Sequence, residues 1–501
     1  MLAGKTFQRI AVIGLSLMFV TPYVLGQKQR VLPLTTKSPE ARRLAEQAIA
    51  MYLDHVRQVE AIHTLHKALK LDPQFAMGHE FLAQISLDSA EQVFEQKRAF
   101  LTRHLATPSE QTAIEWYQDA NDHQLISAIT KMNDILAQYP TDKRVVWMTT
   151  WWLMTQAQYE RALSVYANSR ISDSPGLMNN MAYNMASLHR FDEAFDLMDK
   201  YVAAIPGDPN PQDSYAEILR LAGQFDKSIE HYRAALAIDP TFYSSQYGIA
   251  DTYSLKGDQV QARKEYEIAF KKFPLAELQQ IMWQTREAAS YVREADYKGA
   301  DRAFQEIANF AHSRHISQVE ADTYRQMAMY QQNPKQALIY LNKADAALAL
   351  GANAIKSAIL QESAQIQRAR VELALQTSQM ETAQTGVERL SKMTESSGDK
   401  LIEQAYDGAA GALFMAQRKY AAAIPHLEGD INNPLSLQLL KDAYLKTGNK
   451  SAAQHTSDTL ANLNDPTLEQ AMVVPAFRKC YQDPACGGSL KNVSVDHLHL
   501  L

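Results

Sequence analysis

The sequence contains few of the residues that interrupt or cross-link a chain. Its 501 residues include only 19 glycines, 18 prolines and 2 cysteines. So little glycine and proline leaves small scope for flexible linkers or low-complexity segments. Because 46% of the residues are hydrophobic, a chain of this length can bury a large core.

A strong excess of charge is also missing. The chain has 50 Lys and Arg residues against 56 Asp and Glu, a formal net charge of −6. Nucleic-acid-binding domains usually carry a basic face or stripe, so we expect no nucleic-acid partner. The sequence also lacks a Gly-x-Ser-x-Gly nucleophile motif and a dinucleotide-binding glycine loop. We therefore expect no cofactor, no metal, no catalytic residues and no small-molecule substrate.

The long apolar run near the N-terminus is too short for a typical membrane span. Lys5 and Arg9 flank the start of an apolar stretch at residues 10–20, and Val24 and Gly26 suit the −3 and −1 positions of a signal-peptidase site. A spanning helix needs about 20 apolar residues. Residues 1–26 are therefore predicted to be an export signal, giving a periplasmic or secreted protein, with an uncleaved membrane anchor as the alternative.

Three prolines in the middle of the chain recur at a fixed spacing. Pro206, Pro240 and Pro274 lie 34 residues apart. Small residues recur in register with them: Ala182, Ala216 and Ala250 at one position, and Ala194, Ser228 and Ala262 at another. A constant period of this length is typical of a repeated pair of helices.

Apolar residues in the middle unit follow helical spacing. Those of its first helix are Tyr215, Ile218, Leu219 and Ala222. This helix is predicted to end at Gly223, and a second is predicted from about Asp226 until Pro240 ends it. Two short helices cannot bury so much apolar surface alone, so each pair must stack on the next.

This pattern resembles the tetratricopeptide repeat, a helix, a tight turn and a second helix in 34 residues. The resemblance implies an all-α fold, an α-solenoid forming a right-handed superhelix of about a dozen stacked hairpins. The helical pattern begins at the Ser38-Pro39-Glu40 start signal. We predict an N-terminal array at 38–274, a divergent array at 275–466, and an irregular tail at 467–501 that contains the cysteines.

The resemblance also implies which residues face the groove, because the first helix of each hairpin lines the inner face. The predicted peptide-binding residues are Arg144, Trp147, Trp151, Asn179, Tyr183, Asp213, Glu217, Arg220, Tyr247 and Asp251. Aromatic anchors with amides and both signs of charge suit a segment of a partner protein or peptide. The alternative is that Trp147 and Trp151 pack between repeats.

Cys480 and Cys486 are the two cysteines. In an exported protein they are predicted to form a disulfide, with free thiols, or zinc held together with His497 and His499, as alternatives. The predicted function is a non-enzymatic protein-interaction scaffold outside the cytoplasm. The alternatives are an exported hydrolase or transferase with its site in the C-terminal half, where Ser397 and Lys400 form a Ser-x-x-Lys motif, or a membrane-anchored sensor or assembly subunit.

Overall fold

The structure is a computed structural model that describes residues 30–273 and 275–482. Pro274, the third proline of the repeat, and Cys486 lie outside these ranges. The described residues form 25 α-helices and one short 3-10 helix at Arg103–Leu105. In chain order, helices α1 to α25 are Pro39–His55, Gln58–Leu71, Ala76–Ile85, Ser89–Thr102, Pro108–Asn121, Leu125–Gln138, Lys143–Thr155, Tyr159–Ser169, Pro175–Ser187, Phe191–Ala204, Asn210–Leu221, Phe225–Ile238, Tyr243–Lys256, Gln259–Lys272, Glu277–Arg293, Tyr297–Ser313, Ser317–Met329, Pro334–Leu350, Lys356–Gln376, Met380–Ser397, Lys400–Ala416, Tyr420–Gly429, Pro434–Lys446, Lys450–Ala461 and Leu468–Gln482.

The helix boundaries follow the start and stop signals in the sequence. Ser38 caps α1, and its side chain accepts a hydrogen bond from the Ala41 N–H. Gly223, in the turn between α11 and α12, has a φ of +77°, a conformation that glycine adopts without steric cost. Helix α12 ends at Ile238, two residues before Pro240. These predicted boundaries are confirmed.

Consecutive helices pair into hairpins, α1 with α2 and so on to α23 with α24, and each hairpin packs on the next. The small residues of the 34-residue period are completely buried where helices approach each other. These residues are Ala182, Ala194, Ala216, Ser228, Ala250 and Ala262. Helices α14 and α15 pack together across the predicted boundary at residue 274. The predicted α-solenoid of stacked helix hairpins is therefore confirmed.

The solenoid coils so tightly that distant hairpins touch. Helix α1 packs on α9, and His55 Nδ1 lies 2.8 Å from Asp208 Oδ2. The Leu278 N–H of α15 donates to Leu87 O between α3 and α4 at 3.2 Å. At these contacts, the inner surface of one hairpin faces another hairpin.

An extended N-terminal segment, residues 30–37, runs across the starts of three successive hairpins. Carboxylates at or just before those starts accept hydrogen bonds from it, the one before α3 being Asp72, which caps the end of α2. Asp142 accepts from the Leu32 N–H at 2.7 Å, and Glu110 accepts from the Thr35 N–H at 2.6 Å. Asp72 accepts from the Lys37 N–H at 2.9 Å. The segment thus holds hairpins α3–α4, α5–α6 and α7–α8 in register.

The prediction of an irregular tail from residue 467 is wrong for its first part. Residues 468–482 form α25, which packs against α15, α23 and α24 and contains Pro475 within the helix. A proline inside a helix costs about 3 kcal/mol. Burial of Val473, Val474 and Phe477 in a core shared with α23 and α24 offsets that cost.

Within residues 30–273 and 275–482, no helix combines the length and the apolar character that crossing a membrane requires. The predicted signal, residues 1–26, lies outside the described residues and stays a prediction.

Candidate binding cavity

A cavity of about 530 Å³ lies inside the superhelix. The helices that line one side are α7, α9, α11, α13 and α15, the first helices of five consecutive hairpins. Residues of the first hairpin, α1–α2, close it from the other side. Its volume falls in the range of about 300–1,000 Å³ that is usual for ligand sites.

One wall of the cavity is aromatic. Trp147 and Trp151 lie one turn apart on α7 and stack with ring centroids 5.2 Å apart and planes 8° from parallel. Tyr52 of α1 meets the edge of Trp147 at 5.6 Å. Trp151 keeps 38% of its surface exposed. This wall therefore offers a flat apolar face to a ligand.

Another part of the lining carries paired charges. Arg220 Nη2 donates to Glu217 Oε1 at 2.8 Å, and its Nη1 donates to Asp251 Oδ2 at 3.2 Å. Arg286 of α15 also donates to Asp251, and Tyr183 OH donates to Glu217 Oε2 at 2.8 Å. Two arginines and two carboxylates thus balance, and the wall is polar without a net charge from these four groups.

Burial and neighbouring charges set the protonation of the acidic groups. Burial alone would raise the pKa of Glu217, but the positive charges of Arg220 and Arg286 outweigh it, and the pKa is lowered. Asp213 lacks such a close cation. Burial raises the pKa of Asp213 to about 7, although a hydrogen bond from Ser245 at 2.6 Å partly offsets the rise. Asp213 can therefore accept or donate a hydrogen bond near neutral pH.

Several buried polar atoms on the cavity wall have no hydrogen-bond partner among the described residues. They are Asn179 Oδ1 and Asn180 Nδ2 on α9 and Trp283 Nε1 on α15. Buried polar atoms are nearly always hydrogen-bonded in folded proteins, because an unsatisfied one costs about 1–3 kcal/mol. The three residues line the cavity, and the unpartnered atoms themselves are buried.

A close helix contact closes the cavity on the side of the first hairpin. The backbone of Gly176, at the start of α9, lies against Leu53 O at the end of α1, so that a side chain at Gly176 would overlap this carbonyl oxygen. Tyr201 OH donates to Asp54 O at 3.1 Å in the same contact. A glycine here lets α1 approach α9 closely enough to cover the cavity.

Seven of the ten predicted groove residues line this cavity: Trp147, Trp151, Asn179, Tyr183, Asp213, Glu217 and Arg220. Their role in binding a peptide stays a prediction. The other three do not line it. Tyr247 is fully buried and stacks on Trp283 at 4.6 Å, because the next hairpin covers it. Asp251 is buried behind the wall, where it pairs with arginines.

Arg144 was predicted to face the groove. In the structure it instead binds the N-terminal segment, residues 30–37. Its Nη2 donates to Leu32 O at 2.5 Å and to Asp142 Oδ2 at 2.9 Å. The extended chain therefore occupies the position that the sequence pattern assigned to a partner.

Sequence reasoning missed the contribution of α1 and α15. Tyr52, Met282, Trp283 and Arg286 all line the cavity, yet none was predicted. The contact of α1 with α9 joins residues more than a hundred positions apart, which a local repeat pattern does not encode. For α15, the loss of the 34-residue register after Pro274 obscured the positions that face inward.

Ser397 and Cys480 are the residues of the C-terminal half on which the alternative predictions depend. Ser397 ends α20 and its hydroxyl donates to Thr394 O at 3.4 Å, within its own helix end. Across the described ranges, no three His, Cys, Asp or Glu side chains come together in a way that could hold a metal ion. Cys480 is half-buried in α25, and its predicted disulfide partner Cys486 lies outside those ranges, so the pairing stays a prediction.

Comparison with known proteins finds only distant structural similarities. No protein-family model and no curated protein matches this chain. Among solved structures, a tetratricopeptide repeat protein from Parabacteroides merdae is 13% identical, covers 57% of this chain and 99% of its own, and has a TM-score of 0.36. Yeast Tom70 is 13% identical, covers 89% of this chain and 98% of its own, and has a TM-score of 0.39. Likenesses at this level assign no ligand or partner. The chain is a solenoid of helix pairs with a ligand-sized internal cavity.

Proposed function

We propose that this protein is a non-enzymatic interaction scaffold that binds a short segment of a partner protein in the internal cavity. The supporting observation is a cavity whose lining combines two stacked tryptophans with asparagine side chains that hold unpartnered amide atoms. A peptide supplies what both groups of side chains need, since each residue carries an N–H donor, a C=O acceptor and a side chain.

The volume of the cavity limits the size of the bound segment. About 530 Å³ suits a ligand of drug-like size and not a long helix or an extended strand of many residues. The stacked Trp147 and Trp151 favour an apolar or aromatic side chain, which would lie against the exposed face of Trp151. The amides of Asn179 and Asn180 would then pair with the backbone of the segment.

The charges of the cavity favour a segment without a strong net charge. Arg220 and Arg286 are already balanced by Glu217 and Asp251, so a charged partner group would have to displace an existing pair. Losing one partner of a buried ion pair costs about 3–5 kcal/mol. We therefore propose a neutral segment whose affinity comes from the aromatic contact and from backbone hydrogen bonds.

The test is a selection of short peptides from a displayed random library on the purified protein. The selected peptides are then titrated against Trp151→Ala and Asn180→Ala. We expect each substitution to weaken binding about tenfold or more, since buried aromatic anchors commonly contribute 2 kcal/mol or more. Phe94→Ala is the control, because Phe94 is a 58% exposed aromatic on α4 outside the cavity. Equal binding to all four proteins would contradict the proposal.

We also propose that the protein acts outside the cytoplasm, on the strength of the charged start, the apolar run and the cleavage-site residues in positions 1–26. N-terminal sequencing of the protein from its native cells tests this. A mature chain that begins at Gln27 is expected. A chain that keeps residues 1–26 and remains in the membrane fraction would support the anchored alternative and contradict cleavage.

A further inference from the structure

Buried arginines in this protein are held by carboxylates. Arg220 contacts Glu217 and Asp251. Arg325 contacts Asp322 and Glu362, the latter at 2.8 Å. The same holds for Arg368, which contacts Glu372 at 2.9 Å and Asp430 at 2.8 Å. This is the expected arrangement, because burying an unpaired charge costs several kcal/mol.

Arg293, at the end of α15, departs from this arrangement. Its one hydrogen bond to the described residues goes from Nη1 to the amide oxygen of Gln470. No Asp or Glu oxygen in the described ranges lies within 4.0 Å of its guanidinium. A guanidinium has five N–H donors, so most donors of Arg293 are left for another acceptor.

Arg478 of α25 likewise contacts no carboxylate among the described residues. It donates to backbone oxygens instead, from Nε to Ala461 O at 2.6 Å and from Nη2 to Leu463 O at 3.1 Å. These contacts fix the side chain in place but leave its positive charge uncompensated. Arg478 therefore places a second positive charge, held by backbone oxygens, near Arg293.

Both arginines line a second cavity of about 440 Å³, separate from the tryptophan-lined one. It lies between the turns at Gly223 and Gly257, the end of α15 and the C-terminal segment. Glu294 also lines it, but this carboxylate is engaged by Arg263 Nη2 at 2.7 Å. Three cationic side chains line the cavity, of which Lys256 is paired with Asp226, and the one lining carboxylate is already paired. Arg293 and Arg478 are therefore the two lining cations without a carboxylate contact among the described residues.

The electrostatics agree with the geometry. Burial, together with the charge of Arg478, lowers the pKa of Arg293 to about 10, although Tyr266, Asp251 and Asp465 act in the opposite direction. Asp251 already contacts both Arg220 and Arg286. Burial likewise lowers the pKa of Arg478. An anion in the cavity would stabilise the charged forms of both arginines and so raise both pKa values.

We propose that this second cavity is a binding site for a small molecule that carries a phosphate monoester group. Guanidinium groups bind phosphate oxygens through paired, charge-assisted hydrogen bonds. A phosphate monoester carries about −1.5 to −2 charges near neutral pH, which matches the two arginines. The remaining volume accommodates the organic part against Phe225 and Pro475. This site is independent of partner binding in the first cavity.

The test uses the purified protein with inorganic phosphate and with O-phosphoserine, each at constant ionic strength against sodium chloride. Binding is followed by calorimetry and by the rise in thermal midpoint that a bound ligand produces. We expect both probes to bind the wild type and Arg293→Gln to weaken them about tenfold or more. Arg370→Gln, at a half-buried arginine on α19 that is paired with Asp345 and lies outside this cavity, should bind as the wild type does.

Stability without ligand distinguishes this site from a purely structural arginine. Because Arg293 is a half-buried cation without a carboxylate contact among the described residues, Arg293→Gln should leave the thermal midpoint unchanged or raise it while removing the phosphate-dependent rise. Arg293→Lys, which keeps the charge but not the paired donors, should bind with intermediate affinity. Phosphate binding that persists in Arg293→Gln would overturn the proposal. No binding to the wild type at about 10 mM of either probe would do so as well.

Discussion

Glu110 is the carboxylate that ties the N-terminal segment to the solenoid, and its replacement by alanine gives a stringent test of that arrangement. Glu110 is fully buried at the start of α5. It accepts hydrogen bonds from the Thr35 N–H and hydroxyl, both at 2.6 Å, and from the Thr107 N–H at 2.9 Å and hydroxyl at 2.6 Å. One side chain therefore caps a helix and holds the extended segment.

The expected loss follows from these contacts. Loss of the capping interaction with Thr107 costs about 1 kcal/mol. Each hydrogen bond to a charged group contributes about 1.5–3 kcal/mol, and the two from Thr35 are lost together. If the segment detaches, Leu32 and Leu34 leave the core, at about 1.5–3 kcal/mol each. Because these contributions overlap, we expect Glu110→Ala to lower the local free energy of unfolding by roughly 3–5 kcal/mol.

Hydrogen exchange is the appropriate assay, because a repeat protein of this length need not unfold in one step. Residues 30–37 and the first turn of α5 should lose protection in Glu110→Ala, whereas α21 to α24 should not. Glu115→Ala on the same helix is the control, since Glu115 makes a half-exposed ion pair with Arg103 worth about 1 kcal/mol at most. Unchanged protection of residues 30–37 in Glu110→Ala would refute the assigned role.

Three further predictions concern the closure, pH response and charge network of the solenoid. Gly176→Ala should lower the free energy of unfolding, measured in urea, by about 1–3 kcal/mol, because the added methyl group overlaps Leu53 O. Gly207→Ala is the control and should lower it less, because open space surrounds Gly207. The free energy of unfolding of the wild type should fall as the pH rises, and Glu80→Gln should abolish the part of this fall that Glu80 causes. Burial raises the pKa of Glu80 to about 8, so between pH 4.5 and 8 the folded state holds a proton that the unfolded chain releases, and stability falls as the pH rises. Thermal melts of both proteins at several pH values check this, and parallel pH profiles would contradict it. Arg220→Met should cost about 3–5 kcal/mol, and the double variant with Asp251→Asn should cost less than the sum of the two single changes; additive losses would show that the two groups are not coupled.

The local part of the fold could be predicted from the sequence because local chemistry determines it. The cap at Ser38, the positive φ at Gly223 and the helix end before Pro240 all follow from the properties of single residues. Helix α25 could not be predicted in this way, because packing on distant helices overrides the effect of Pro475.

The site was predictable only where it follows the repeat. The inward positions of α7, α9 and α11 were identified because their hairpins keep a regular pattern. Tyr247 was misassigned because Trp283, from a hairpin outside the 34-residue register, covers it. The closure of the groove by α1 depends on the path of the whole superhelix, which no local pattern specifies.

The most direct test of the central claim is to map where a selected peptide contacts the protein. A peptide from the selection, carrying a benzophenone group in place of its aromatic anchor, would be irradiated in complex with the full chain and the attachment sites found by mass spectrometry. The account predicts attachment to Trp151, Met154 or Met282 on the cavity wall. Attachment confined to outer positions such as Phe94 would contradict it.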